Sequence, residues 1–107
     1  MGDNLDRAVA EGDVAEAWHL AGRIGSVPLH QALSLTILLG RRADPRFEAA
    51  ALRFVERFAA EVTPTLADIS KVADALQTLR RVGDLPAMSE GAMRSLEDLG
   101  RQLRARR

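Results

Sequence analysis

The chain has no cysteine, so it can form no disulfide, no thiolate nucleophile and no zinc–thiolate centre. Aromatic residues are scarce, at 4%. The 47% of hydrophobic residues must therefore build a core mainly from Leu, Ala, Val and Ile. Neither sign of charge dominates: 15 basic and 15 acidic residues cancel. That balance argues against a protein whose main work is gripping phosphate backbones, and leaves room only for a local basic patch. Lysine is nearly absent too. Lys71 is the only one, and the other basic residues are arginine. The most apolar stretch, Ala32 to Leu39, is far shorter than the roughly 20 residues a membrane-spanning helix needs. The first residues, MGDNLDRAVAEGD, are acidic and carry no apolar signal-peptide core. These absences predict a single cytoplasmic domain over residues 1–107, with no membrane role.

What is present is helical periodicity. The stretch from Asp44 to Val62 holds all three phenylalanines, Phe47, Phe54 and Phe58. With Ala50, Ala51, Val55 and Val62 they recur every three or four residues, on one stripe of a helix. Asp44 is placed to cap this helix and Pro45 to occupy its first position. This element is expected to be the hub against which the rest of the chain packs.

Before it, Asp3 opens a short helix that Gly12 ends in a left-handed turn, and Asp13 caps the next helix at once. That second helix carries Val14, Ala17, Trp18, Ala21 and Ile24 and stops at Gly25. Its Gly22 either admits a close neighbour or loosens the helix. Ser26 opens a third helix with Pro28 in its first turn and Gly40 at its end. This helix is apolar almost all round, which predicts burial on most sides and a place between the second helix and the Asp44–Val62 helix. Thr65 and Asp68 form a capping box for a fifth helix, whose stripe runs Leu66, Ile69, Val72, Ala73, Leu76 and Leu79 to a stop at Gly83. A sixth helix from about Ser89 has Ala92, Leu96, Leu99 and Leu103 in a narrow seam, followed by a tail expected to fray. No segment alternates like a strand. The fold class is therefore all-α: about six short antiparallel helices in a bundle or a short right-handed superhelical stack.

The joint AVAEGDVAEAWHLA, with Gly12 in the turn and Ala17 five positions on, resembles the helix–turn–helix joint of tetratricopeptide repeats. A second glycine-aspartate pair, Gly83-Asp84, lies about two such repeats further along. The aromatic positions of that family's first helix are not matched, and no full period runs through the middle. The resemblance implies helix pairs in a short superhelical stack. The alanine- and arginine-rich make-up is also similar to that of short helical proteins from GC-rich bacterial genomes.

Catalytic patterns are missing. His19 and His30 are the only histidines, and Glu16-x-x-His19 is a lone half of a di-iron motif that needs two. No phosphate-binding glycine loop or nucleophile elbow occurs. No catalytic residue, cofactor or metal is expected. The expected function is a non-catalytic protein–protein interaction module, adaptor or regulatory. The narrow seam of the last helix either packs on the fifth helix of the same chain, as a small domain's need for core favours, or, through Met88, Met93, Leu96, Leu99 and Leu103, is the module's interaction surface toward an unidentified protein or a second copy in a homodimer. The alternative is a helical nucleic-acid-associated regulator, with Arg41, Arg42, Arg80, Arg81, Arg101 and Arg104 gathered into a basic patch beside Arg106 and Arg107.

Overall fold

A computed structural model describes residues 2–24 and 27–105, with side chains from Asn4 onward. Within them lie six helices: α1 Gly2–Ala10, α2 Val14–Ile24, α3 Leu29–Arg41, α4 Phe47–Val62, α5 Leu66–Val82 and α6 Pro86–Ala105. No strand occurs among the described residues. The capping role of Asp3, the Gly25 stop, the Ser26 start and the Arg106–Arg107 pair fall outside what is described.

Each helix packs on its neighbour in sequence, and the chain alternates direction. Gln31 Nε2 donates to Asp6 Oδ1 at 3.3 Å, and Gly12 at the far end of α1 lies under the Arg42 guanidinium at the far end of α3. So α1 runs parallel to α3. Arg57 Nη1 donates to the Val27 carbonyl just before α3, which sets α4 antiparallel to it. Gly83 at the end of α5 abuts Gly40 near the end of α3, while the second half of α6 lies beside the start of α5.

The hub is α3, not α4. Among the described residues α3 touches all five other helices, whereas α4 touches only α3 and α5. Leu33, Leu38 and Leu39 of α3 are fully or almost fully buried, and Thr36 is buried with its hydroxyl donating to the Ala32 carbonyl. The three phenylalanines are buried as expected, with Phe54 and Phe58 stacked at 5.9 Å. They weld one face of α4 to the bundle. A helix apolar on one stripe has neighbours on one side, and one apolar all round has neighbours everywhere.

The helix ends follow local chemistry, with corrections. After α1, Gly12 takes φ +74, its N–H reaches the Val9 carbonyl and the Asp13 N–H reaches the Ala8 carbonyl. That is a Schellman end, and the Asp13 carboxylate then accepts from the Glu16 N–H at 3.1 Å to start α2. The end of α3 has the same pair of bonds, from Ala43 to Gly40 and from Asp44 to Leu39, with Ala43 at φ 52 as the left-handed residue. Gly40 does not end α3. It is buried inside the last turn, where a Cβ would meet Phe47 at 3.0 Å and Leu79 at 3.2 Å. Gly83 likewise has ordinary helical angles, φ −61 and ψ −28, and its missing Cβ makes room for the Gly40 carbonyl. The Gly83-Asp84 joint therefore differs in conformation from Gly12-Asp13.

Pro28 flanks α3 rather than lying in its first turn. α4 starts at Phe47, later than expected: the Phe47 N–H reaches the Asp44 carbonyl in a tight turn, and the Asp44 carboxylate accepts from the Arg46 backbone N–H and is forked to its guanidinium, each of these carboxylate bonds 2.9 Å. The Thr65–Asp68 capping box is present, but Leu66 beside it is 84% exposed and off the core stripe. α6 starts at Pro86, which is suited to a first helical position, and residues 101–105 remain helical rather than frayed.

Candidate interaction groove

The expected interaction seam on α6 is occupied by the molecule itself. Leu96 is fully buried, and Met93, Leu99 and Leu103 are half-buried against the core formed with α3 and α5. Only Met88 stands out, near the exposed Leu85 of the preceding turn. A seam this narrow fits one side of a bundle, and the bundle uses it.

The expected basic patch is divided. Arg41, Arg42, Arg80 and Arg81 gather where α3 and α5 end together, while Arg101 and Arg104 lie at the opposite end, because α6 runs antiparallel to α5. Carboxylates are interleaved with the first group. Arg80 lies 3.8 Å from Glu48, and Arg41 shares a shallow cleft with Glu90 and Glu97. Arg101 is paired with Asp98. These arginines sit at helix C-termini, where the backbone dipoles already draw positive charge.

What the structure leaves open is a groove over the hub. α2 and α4 both lie on α3, and their backbones do not pack on each other. Between them is a cleft of 440 Å³. Its floor is Ala32, Leu35 and Thr36 of α3 with the buried Phe54 ring. One wall is α2, through Trp18, Ala21 and Gly22, and the other is α4, through Ala49, Ala50, Arg53 and Arg57. Ala21 and Gly22 on one wall and Ala49 and Ala50 on the other leave the middle of the space unfilled.

Two arginines from the α4 side strut the groove. At one end the Arg46 guanidinium lies 5.1 Å from the centroid of the Trp18 ring, in a cation–π contact. The same guanidinium is forked to Asp44, and these hydrogen bonds hold the Asp44 carboxyl down from 3.8 to about 2. Their mutual bond also raises the Arg46 pKa. At the other end Arg57 donates to the Val27 carbonyl at 2.7 Å and to Glu61 at 2.8 Å. These contacts tie the start of α4 to Trp18 of α2 and its second half to the turn before α3, so the groove is bridged at both ends in the unliganded chain. Trp18 is 38% exposed there, although its place on the α2 stripe suggested a core residue.

A second cleft of 510 Å³ lies between the α4–α5 turn and α6. Thr65 and Asp68 are committed to the capping box and Asp98 to Arg101, while the side chains of Lys71, Ser95 and Gln102 face it without a hydrogen bond or ion pair among the described residues. Among the described residues no group of three or more His, Asp or Glu side chains is placed to hold a metal, and no helix is long and apolar enough to cross a membrane. No protein-family model, curated protein or solved structure matches the chain.

Proposed function

We propose that this chain is a non-catalytic helical interaction module whose docking site is the α2–α3–α4 groove, which receives a helix of another protein. The observation that carries the reading is the strutted apolar groove, with Trp18 half in water on one wall and small residues along floor and walls. Recognition of an amphipathic helix needs such a trough, apolar at the bottom and edged by polar groups that fix orientation. The lining also supports a binding role over a chemical one. Among the described residues it holds no carboxylate and no histidine, and the one hydroxyl, that of Thr36, is spent on the Ala32 carbonyl.

Amide shifts of the isotopically labelled chain, followed while amphipathic helical peptides are added, test this. The largest changes are expected in residues 18–22 and 49–57. Changes centred on Met88 to Leu103 instead would return the interaction to α6 and refute the groove.

A further inference from the structure

We infer that the helix taken up by this groove is an acidic amphipathic one, which lays small apolar residues on Ala32 and Ala50, passes close to Gly22 and sets a carboxylate against Arg53; the inference rests on the docking role proposed above. Charge is the first support. Arg53 and Arg57 line the α4 wall, Arg46, forked to Asp44, stands at the Trp18 end, and among the described residues no carboxylate lines the groove itself. Two of the three are engaged, Arg46 with Asp44 and Arg57 with Glu61 and the Val27 carbonyl. Arg53, exposed, makes no hydrogen bond or ion pair among the described residues. It is the cation left for an outside carboxylate, whose geometry its planar fork matches.

Gly22 is the second support. A glycine inside a helix weakens it relative to alanine. Nothing among the described residues requires one here, since a Cβ added at Gly22 would meet none of their atoms within 4 Å. On the wall of a groove, its absence lets another backbone come near. Length is the third. The α4 wall from Ala49 to Arg57 spans about 12 Å at 1.5 Å per residue, two helical turns, which suits anchors spaced i, i+4 and i+7 on the incoming helix.

The test uses two synthetic peptides with the same Ala/Leu face, one flanked by Glu and one by Lys. Each is titrated into the full chain while the emission of Trp18, its only tryptophan, is followed. The Glu peptide is expected to saturate and to bind more tightly than the Lys peptide. Arg53→Glu is expected to weaken the Glu peptide about three- to tenfold, the effect of a rim charge pair, and to strengthen the Lys peptide. Gly22→Ala is expected to weaken the Glu peptide while the urea midpoint stays at or above that of wild type. Gly91→Ala, equally open but on α6, is expected to leave the affinity unchanged. Equal affinity for both peptides, or a Gly22→Ala chain that binds as wild type does, overturns the inference and leaves the docking role standing. A saturable response to neither peptide removes the docking role itself. A concentration-dependent Trp18 shift without peptide, matched by a dimer in sedimentation, gives the groove to a second copy and overturns the acidic-helix inference.

Discussion

Replacing Gly83 with alanine sets two effects of opposite sign against each other. Gly83 has helical backbone angles, φ −61 and ψ −28, which alanine adopts without strain. Local propensity alone therefore predicts a gain of about 0.5–1 kcal/mol, mostly from a less disordered unfolded chain. Packing predicts the reverse. The new methyl would lie 2.9 Å from the Gly40 carbonyl carbon and closer still to its oxygen. Those are backbone atoms in the last turn of the hub helix, so no side chain can rotate away. Gly40 is itself wedged between Phe47 and Leu79. Overpacking of this kind costs about 1–3 kcal/mol and often more against backbone, so the packing loss exceeds the propensity gain. With an m-value of roughly 1–2 kcal/mol/M in urea, the midpoint should fall by about 1 M. Gly91→Ala isolates the propensity effect, because nothing lies within 4 Å of its added Cβ. Its midpoint should rise, by about 0.5–1 kcal/mol in stability. Far-ultraviolet circular dichroism reads both transitions. A Gly83→Ala midpoint at or above wild type would mean that the α3 and α5 backbones do not meet at Gly40 and Gly83.

Other expectations concern the core, the helix ends and one ion pair. Leu39→Ala and Phe54→Ala, at positions almost wholly out of solvent, should cost about 2–5 and 3–5 kcal/mol respectively, and Leu52→Ala, 63% exposed, under about 0.5 kcal/mol; equal thermal midpoints for all three would contradict the assigned faces. Ala43→Gly should stabilise by up to about 1 kcal/mol, because relief at φ 52 outweighs glycine's added freedom in the unfolded chain, and a lower melting temperature would count against a left-handed Ala43. The folded pKa of Asp44 is depressed from 3.8 to about 2, chiefly by its bonds with Arg46, so its contribution is full above the unfolded value and is lost as pH falls from 3.8 towards 2. The stability difference between wild type and Asp44→Asn should be about 1–2 kcal/mol near neutral pH, allowing for partial solvent screening, and should shrink across that window; a difference flat from pH 5 to pH 2 would dispose of the pair.

Much of the fold was legible because helices announce themselves by period and punctuation. The Gly12-Asp13 joint and the Thr65–Asp68 box behave as their residue types dictate. The hub is where the sequence misleads: the three phenylalanines draw attention to α4, while the all-round apolar pattern of α3 is the sign of a helix with neighbours on every side. Gly40 and Gly83 were recognisable as special, but for the wrong reason: each serves close approach between helices that sequence spacing cannot reveal. The Schellman end at Ala43 carries no glycine signal at all. The late start of α4 reflects a tight turn in which Phe47 bonds the Asp44 carbonyl, a boundary of two residues that residue types alone leave open. The groove was least legible. It depends on how far apart two helices settle on a third, a relation between residues some 30 positions apart, such as Val27 and Arg57.

The alanine- and arginine-rich make-up bears on both features that distinguish the fold. Where α3 meets α5 inside the core, the smallest residues bring two backbones into contact, and larger side chains such as Phe47 and Leu79 close around them. Where α2 faces α4 across α3, Ala21, Ala49 and Ala50 face open space with no third helix behind them, and short side chains leave a trough. Leucine at those positions would fill it and bury apolar surface within the monomer, at about 25 cal/mol per Å². The chain instead keeps alanines there and bridges the ends of the groove with Arg46 and Arg57; Arg57 bonds Glu61 and the Val27 carbonyl at once in one fixed plane, a geometry that lysine's freely rotating ammonium does not impose. Arg57→Lys should therefore loosen the groove more than the fold: the urea midpoint should change little, while the response of Trp18 to added helical peptide weakens. Unchanged peptide binding by that variant would show that the spacing of α2 and α4 owes nothing to the bond with the Val27 carbonyl.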